Sequence, residues 1–441
     1  MKIAFIRPNM FARQSKDAMA PLVFAIIKAI TPVDVDIRFY DENVEKIPKL
    51  IDADVIAMTV DTFSARRAYQ LATSHRARGL KVIMGGFHPT MAPDECLGYA
   101  DSVVIGEAED TWPTMIEDLK NHALESKYYS KNNTDLSSVV YDQSAYAGKK
   151  YKDIGMIQFS RGCKFKCDFC SIHAFYRDNI RCRDLHNVVE EIRGRKEKFF
   201  FFIDDNLFTD EDKAKELFKA LIPLKKKWFC QISIDAARDI ELLKLMKQSG
   251  CLGALIGFES LNIENLKVMK KAANLQNIDY DKILANLYDC NLMVYGTFVI
   301  GYDFDTENSL NELVIFALKN QFMIANFNPL MPMPGTTLYE RLMQENKLVH
   351  QRWWLDETFK YGDAMLVPNK MTPEDLMQGC REARFTFYSW RNIIARFFHR
   401  KANAHSLTNQ WLFLVMNWIS RKEIYSKQGR RLGEFIENHP Y

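Results

Sequence analysis

The stretch Cys163-Lys-Phe-Lys-Cys167-Asp-Phe-Cys170 places three cysteines in a C-x3-C-x2-C spacing. It follows the apolar run 154–159 and the turn Ser160-Arg161-Gly162, so a strand is predicted to lead directly into the cysteine loop. Three thiolates on one loop can hold an iron-sulfur cluster while one iron keeps no protein ligand. An open metal position is where chemistry can occur, and the motif therefore indicates an enzyme.

A structural zinc site is the alternative interpretation of three neighbouring cysteines. Such a site usually takes four protein ligands in two pairs. No second Cys/His pair at a suitable spacing lies nearby in the sequence, and His173 is the nearest spare candidate. The spacing therefore favours the cluster.

The run before the cysteines opens a series of apolar strands that alternate with helical patterns. Six candidate strands begin at Ile154 and continue through 199–203, 229–234, 254–258, 293–300 and 324–329. Six strand and helix units in succession predict a parallel sheet curved as a partial (β/α)6 TIM-type barrel. Sites in such barrels lie at the carboxyl ends of the strands, and polar or glycine residues follow five of the six.

A separate alternating series occupies the N-terminal part of the chain. Its five candidate strands are 3–6, 36–40, 55–60, 81–84 and 102–105, with helical patterns at 21–30 and 66–78. Strands joined by helical crossovers predict an α/β fold with an open, mostly parallel, Rossmann-like sheet. Ligands of such sheets sit beyond the carboxyl ends of the strands.

These patterns divide the chain into four predicted parts. Residues 1–125 form the open sheet, 126–150 a polar linker, 151–340 the barrel, and 341–441 a mainly helical region interrupted by Pro368 and Pro373. The C-terminal stretch 390–441 holds nine Lys/Arg and three Asp/Glu, together with Trp411 and Trp418. This basic, aromatic tail is predicted to contact a membrane surface, to enclose a greasy substrate, or to cap the barrel.

The composition indicates the cellular compartment in which the protein is expected. The 441 residues carry a formal charge of +3, which favours neither a nucleic-acid platform nor an acidic one. Nine cysteines, most of them isolated, indicate a reducing compartment and not a disulfide framework. The apolar run before Arg7 is too short for a signal peptide, and no window approaches a membrane span. A cytoplasmic protein is expected.

The cysteine triplet after a first barrel strand, with Phe169 just before the last cysteine, resembles the radical S-adenosylmethionine enzymes. The resemblance covers about 154–335. It implies a [4Fe-4S] cluster on Cys163, Cys167 and Cys170 whose fourth iron binds S-adenosylmethionine, and cleavage of that ligand to a 5′-deoxyadenosyl radical. It also implies oxygen sensitivity and a reducing partner such as flavodoxin or ferredoxin.

The same resemblance implies further contacts with S-adenosylmethionine. Asp204 or Asp205 would approach the methionine amine, since neighbouring strand residues point to opposite faces and only one enters the site. Glu259 would bind the ribose hydroxyls, with a helix N-cap as the alternative. Arg238 would face the ligand carboxylate unless it is an ordinary surface arginine, and Gly301 would shape the loop near the adenosyl group.

The N-terminal sheet resembles the cobalamin-binding domain of one branch of this superfamily. Thr59, Gly85, Gly86 and Gly106 follow three of its strands, and bare glycines would let the nucleotide tail of cobalamin lie against the sheet. No Asp-x-His-x-x-Gly motif follows the first strand, so its axial histidine is absent. His88 is a conceivable substitute, although a turn histidine beside a proline is the simpler interpretation.

These features together predict cobalamin-dependent methyl transfer to an unactivated carbon of a small, lipid-like or tetrapyrrole substrate. The alternative is a radical cyclisation, oxidation or rearrangement in which the N-terminal domain is only structural. A non-catalytic cluster carrier or sensor is a third hypothesis, which the acidic residues at several strand ends disfavour.

Overall fold

Two six-stranded parallel sheets form the framework of the computed structural model, which describes residues 1–11, 14–15, 17–131, 134–275 and 279–433. The first sheet contains β1 (Lys2–Arg7), β2 (Asp36–Asp41), β3 (Val55–Thr59), β4 (Lys81–Gly85), β5 (Ser102–Ile105) and β6 (Lys127–Tyr129). The later strands are β7 (Gly155–Ile157), β8 (Ser160–Arg161), β9 (Arg181–Cys182), β10 (Phe199–Phe202), β11 (Lys227–Ile232), β12 (Cys251–Glu259), β13 (Met293–Ile300) and β14 (Ile324–Pro329).

The helices lie between and after these strands. Within and after the first sheet they are α1 (Leu22–Ile30), α2 (Ala65–Arg76), α3 (Phe87–Met91), α4 (Pro93–Leu97) and α5 (Trp112–Lys120). Within the second sheet they are α6 (Ser171–Tyr176), α7 (Leu185–Gly194), α8 (Glu211–Leu221), α9 (Ile240–Gln248), α10 (Ile263–Val268), α11 (Tyr280–Asp289) and α12 (Glu307–Lys319). The chain continues with α13 (Thr337–Gln344), α14 (Pro373–Phe387), α15 (Trp390–Phe397) and α16 (Leu407–Lys427).

The first sheet has the strand order β2-β1-β3-β4-β5-β6, and every neighbouring pair is parallel. Ile3 and Phe5 pack in the core shared with α1 and α5, whereas Ala4 and Ile6 pack in the core shared with α2. Both faces of the sheet are therefore covered, which explains the continuous apolar runs. The predicted open parallel sheet is confirmed, and its order reverses between β1 and β3, where such sheets bind ligands.

The segment predicted to be a linker contributes the sixth strand of this sheet. β6 pairs with β5, and the ring of Tyr128 is buried. Further along, the hydroxyl of Tyr146 donates to the carbonyl of Pro21, 2.9 Å away, so this polar stretch lies against the sheet. Three strand residues are too few to show alternation, and for this reason the sequence pattern did not reveal the strand.

The second sheet has the order β14-β13-β12-β11-β10-β7, so strands that follow one another in the chain are neighbours in space. Helices connect each parallel pair, as a partial barrel requires. Large buried side chains such as Phe202, Trp228, Phe258 and Phe298 fill its core. The predicted partial barrel is confirmed, and its carboxyl ends lie at one edge.

The C-terminal helices close the opposite end of the barrel. The buried guanidinium of Arg396 donates to the carbonyls of Phe322 and Met323, at 2.7 and 3.0 Å, directly before β14 begins. The predicted helical region and its packing on the barrel match this arrangement. None of the helices in the described ranges is long and apolar enough to cross a membrane.

The stretch between α13 and α14 contains no helix and crosses to the first sheet. Leu348 and Leu366 form an antiparallel bridge, and Trp353 and Trp354 between them are buried in the core beneath α2. The indole of Trp353 donates to the carbonyl of Pro332 at 3.0 Å. This stretch therefore packs the end of the barrel segment against the N-terminal sheet.

Candidate active site

The cysteine loop begins at a two-stranded ribbon, in which β8 pairs antiparallel with β9. Gly162, the first residue of the loop, has φ +88°, and a Cβ there would lie 2.5 Å from the carbonyl oxygen of Asn179. Only glycine fits this junction, because both the dihedral angle and the space exclude a side chain. The ribbon gives the loop a fixed base.

All three cysteines line one cavity at the carboxyl ends of the barrel strands, as the sequence predicts. Burial raises the pKa of each thiol, that of Cys167 to about 12. Uncoordinated thiols here stay protonated at neutral pH, so a metal is what would convert them to thiolates.

The two adjacent aspartates take different roles, as their alternation predicts. Asp204 is fully buried and accepts hydrogen bonds from the backbone amides of Phe159 and Ser160 and from the Ser160 hydroxyl. Asp205 lines the cysteine cavity and accepts from the amide of Gly162 at 3.0 Å. Burial raises the pKa of Asp204 to about 7 and that of Asp205 to about 6. Asp205 is therefore the member of the pair that enters the site.

Glu259 enters the same cavity from the end of β12. Its backbone has φ +62° at a register irregularity, an unusual conformation for a residue with a side chain. A Cβ on Gly257 would clash with the Glu259 carboxylate, so that glycine makes room for it. Lys271 pairs with Glu259 at 2.8 Å. Burial lowers the pKa of Lys271, but the nearby carboxylate raises it, and the net effect is a raised pKa. The result is a charged pair inside the cavity.

Of the three remaining predicted contacts, one lines the cavity and two do not. Phe169 lines the cavity. Arg238 is exposed at the end of a 3₁₀ turn and does not line it, because the chain has already left the strand end. Gly301 does not line it either. The amide of Gly301 donates to Asp305 at 2.9 Å, so this glycine, with φ +118°, closes a loop beside the barrel.

Five polar residues outside the predicted set also line the cavity, namely Asn206, Gln231, Ser233, Lys271 and Thr297. Gln231 and Ser233 lie two residues apart at the end of β11. The polar pair at i and i+2 in an apolar strand was the available signal, because such residues face the barrel interior. Lys271 carries no such signal, since it follows α10 in an irregular stretch.

A second cavity lies at the carboxyl ends of the first sheet, bordered by α1 and α5. Thr59, Gly85, Gly86 and Gly106 all line it. Gly86 has φ +107°, and a Cβ there would lie 2.9 Å from the carbonyl oxygen of Val60. The bare backbone keeps this cavity open, as a bound nucleotide tail requires.

His88 belongs to a buried polar network and not to this cavity. Its Nε2 lies 3.0 Å from the hydroxyl of Tyr69 and 3.2 Å from Oε1 of Glu95. The indole of Trp354 donates to the same Glu95 oxygen at 2.9 Å. Within the described ranges, no histidine is among the residues that line the cavity.

Ion pairs join the base of the cysteine loop to the first sheet. Arg161 donates to Glu107 and to Glu109, each at 2.6 Å, and Arg181 donates to Glu107 at 2.7 Å. Burial raises the pKa of Glu107, but the two arginines lower it by more than that. The net pKa is therefore lowered, and the carboxylate is charged. Arg161 and both glutamates also line the first-sheet cavity.

Helix α6 connects the two cavities. Cys170 immediately precedes the helix, and Phe175 and Tyr176 at its other end line the first-sheet cavity. Six residues at the α-helical rise separate these ends by about 9 Å. Phe175 also packs against Phe87 of α3, with ring centroids 4.6 Å apart. The two cavities are therefore neighbours, with α6 between them.

Two family models match the chain. The model of the radical SAM superfamily matches residues 157–317, and that of the B12 binding domain matches 19–116. The first range contains the cysteine loop and its cavity. The second contains all four predicted cobalamin contacts.

Known proteins match nearly the whole chain. Bacteriochlorophyllide d C-12(1)-methyltransferase of Chlorobaculum tepidum is 30% identical over 419 residues, which cover 91% of this chain and 89% of that protein. The bacteriochlorophyllide d C-8(2)-methyltransferase of the same organism is 28% identical over 85% of this chain and 87% of that protein. The solved structure of the cobalamin-dependent S-adenosylmethionine radical enzyme OxsB has the same fold. Its TM-score is 0.68 at 13% identity, over 96% of this chain and 72% of that one.

The chain belongs to the radical S-adenosylmethionine superfamily, in the branch that also carries a B12-binding domain. It is a radical S-adenosylmethionine methyltransferase, whose cofactors are a [4Fe-4S] cluster, S-adenosylmethionine and cobalamin. The structure fits these groups, since three cysteines line one cavity and three glycines at strand ends line the other.

We predict that Cys170→Ala abolishes cluster assembly, because two remaining thiolates cannot hold the cluster at a site that leaves one iron open. Cys182→Ala is the matched control, since Cys182 lies on β9 and does not line the cavity. Iron and acid-labile sulfide are measured after anaerobic reconstitution. The control should retain the content of the unmodified protein, and equal content in both variants would contradict the assignment.

Proposed function

We propose that this enzyme transfers a methyl group to an unactivated carbon of a tetrapyrrole. The supporting observation is the adjacency of the two cavities, because α6 borders both and the Arg161 ion pairs at the base of the cysteine loop line the first-sheet cavity. When bound, the cluster supplies the electron that cleaves S-adenosylmethionine, and the cobalamin carries the methyl group. The chain's own residues hold these groups in place and keep their reacting ends in one enclosure.

We assign the cluster to Cys163, Cys167 and Cys170. Asp205 keeps one carboxylate oxygen on the Gly162 amide, and we assign the other to the amino group of S-adenosylmethionine. Glu259 pairs with Lys271 through Oε1, and we assign its Oε2 to the ribose hydroxyls. Charge-assisted hydrogen bonds of this kind are about twice as strong as neutral ones, which suits carboxylates in a buried site.

Phe169 and the strand ends of the first sheet supply the other proposed cofactor contacts. The ring of Phe169, on the cysteine loop, is proposed to contact the adenine. Thr59, Gly85, Gly86 and Gly106 are proposed to hold the nucleotide tail of cobalamin. Arg238, Gly301 and Asp204 take no part in cofactor binding in this proposal, because they lie outside both cavities.

The relatives support the choice of substrate class. The two methyltransferases reported above, which match about nine-tenths of the chain, are named for bacteriochlorophyllide d. We therefore favour a tetrapyrrole over the lipid-like class. The runner-up reaction, a radical cyclisation, oxidation or rearrangement without cobalamin, would transfer no methyl group, and the methyltransferase relatives and the B12-binding domain disfavour it.

The electron donor and the location are also part of the proposal. The exposed Arg177 beside the cysteine loop suits an acidic donor such as flavodoxin or ferredoxin, whereas Lys164 and Lys166 pair with Asp235 and Asp178. We propose a cytoplasmic enzyme that makes peripheral contact with a membrane through its C-terminal region.

We predict that the reconstituted, cobalamin-loaded protein methylates bacteriochlorophyllide d when it receives S-adenosylmethionine and a reductant anaerobically. Mass spectrometry should show a product that is heavier by one methylene, together with 5′-deoxyadenosine and S-adenosylhomocysteine. Formation of 5′-deoxyadenosine without S-adenosylhomocysteine would favour the runner-up. A lipid substrate methylated in its place would overturn the substrate class alone.

The two aspartates give a paired prediction. Asp205→Asn should weaken S-adenosylmethionine binding roughly tenfold, because it removes the charge from one hydrogen bond while the Gly162 contact survives. Asp204→Asn should leave that affinity unchanged and lower the melting temperature, since an amide nitrogen would face backbone donors. Equilibrium dialysis and thermal denaturation separate the two. A larger loss of affinity in Asp204→Asn would reverse the assignment.

Cobalamin binding gives another prediction. Gly86→Ala should weaken cobalamin retention by about tenfold or more, because the added Cβ meets the Val60 carbonyl and displaces the backbone at residue 86, which lines the cavity. Gly79→Ala is the matched control, since Gly79 also has a positive φ of +80° but no atom within 4 Å of the added Cβ. The corrinoid spectrum after gel filtration measures retention, and iron content should stay unchanged in both. Equal cobalamin loss in both variants would show general destabilisation.

A further inference from the structure

The outer surface of the C-terminal helices carries a stripe of exposed apolar side chains. On α16 it consists of Leu407, Trp411, Leu414, Trp418 and Tyr425, spaced at i, i+4, i+7, i+11 and i+18. These positions fall on one side of a helix that is about 30 Å long. The opposite side is buried against the barrel, so the stripe faces outward along the whole helix.

The neighbouring helix extends this surface. Trp390, Ile394 and Phe398 are spaced four residues apart on and directly after α15, and they are exposed. Exposure of the eight side chains on the two helices ranges from 47 to 83%. We call these eight side chains the aromatic face. Their grouping is unlike singly scattered apolar residues, which need no explanation.

Basic groups border the aromatic face. Arg421 lies 5.2 Å from the ring centroid of Trp390, and Lys422 lies 5.4 Å from that of Trp418. Arg391, Arg400 and Lys401 are exposed nearby. The stretch 390–433 contains nine Lys and Arg but only one acidic residue, Glu423. The surface is therefore apolar at its centre and positive at its border.

The helices that carry the face are fixed in place. Besides its bonds to the residues before β14, Arg396 donates to Oδ1 of Asn417 at 3.1 Å, which ties α15 to α16. Asn417 in turn donates to the carbonyl of Met323 at 3.0 Å, and Asn403 donates to that of Gln321 at 2.9 Å. Because this inner side is already bonded to the barrel, the aromatic face is an outer surface and not a misplaced core.

We propose that the aromatic face docks on an anionic lipid bilayer. Tryptophan and tyrosine favour the headgroup region, and basic residues beside them add attraction to anionic lipids. A second copy of the same face is the less favourable occupant, because its positive border would repel an identical one. This inference does not depend on the substrate or on the methyl transfer.

Docking in this way orients the enzyme. The face covers the ends at which the barrel strands begin, whereas the cysteine cavity lies at the ends at which they finish. The six residues of β14 set these ends roughly 20 Å apart. The bound enzyme therefore turns its cofactor cavities away from the bilayer, towards the electron donor.

Flotation of the full-length protein tests this. It should float with phosphatidylglycerol-containing vesicles, remain largely unbound with phosphatidylcholine alone, and lose binding as salt is raised. The double variant Trp411→Glu/Trp418→Glu should bind about tenfold more weakly. Leu50→Glu/Ile315→Glu is the matched control, since both residues are exposed and apolar but lie elsewhere. It should bind like the unmodified protein.

A charge variant keeps the test independent of folding defects in the tryptophan variant. Arg391→Glu/Lys422→Glu leaves every apolar side chain in place and should also reduce vesicle binding. Equal flotation of all variants, or no flotation of the unmodified protein, would overturn the proposal. So would a dimer, measured by light scattering, that the tryptophan variant dissociates while vesicles remain unbound.

Discussion

The ion pairs of Arg161 and Arg181 with Glu107 and Glu109 are the contact on which the rest of the site depends. They join the base of the cysteine loop to the strand ends of the first sheet, and most of these side chains are buried. Removing one partner of a buried pair leaves an uncompensated charge, at a cost of roughly 3–5 kcal/mol. Such a contact tolerates few alternative geometries. It therefore fixes how the cavity of one sheet faces the cavity of the other.

Most of the fold could be predicted because buried parallel strands leave continuous apolar runs in the sequence. The runs 293–300 and 324–329 coincide with β13 and β14 as the structure has them. β6 escaped prediction because three residues form no pattern. The stretch that carries Trp353 and Trp354 escaped for another reason, since its packing against the first sheet is a long-range contact that no local period encodes.

The candidate site was predictable where the chemistry lies at a strand end. The cysteines, Asp205 and Glu259 follow strands, and the carboxyl ends of parallel strands meet at one edge. Arg238 and Gly301 satisfied the same rule in sequence, but Arg238 lies at the end of a 3₁₀ turn and Gly301 is held in a loop by Asp305, so neither lines the cavity. Neither Lys271 nor the pairing of Arg161 with Glu107 could be read from spacing, because each partner lies on a different element.

Residues that the sequence predicted and residues that it did not reveal both line the first-sheet cavity. His88 is committed to Tyr69 and Glu95, so in the described part of the chain this cavity offers no histidine that could hold cobalt. In the proposed assignment, retention of cobalamin then falls to the glycine backbone on one side and to the wall of the cavity on the other. Arg161, Glu107 and Glu109 form part of that wall. The contact that positions the cysteine loop is thus also a boundary of the cobalamin cavity, so neither half of the site can be complete while the two sheets are apart.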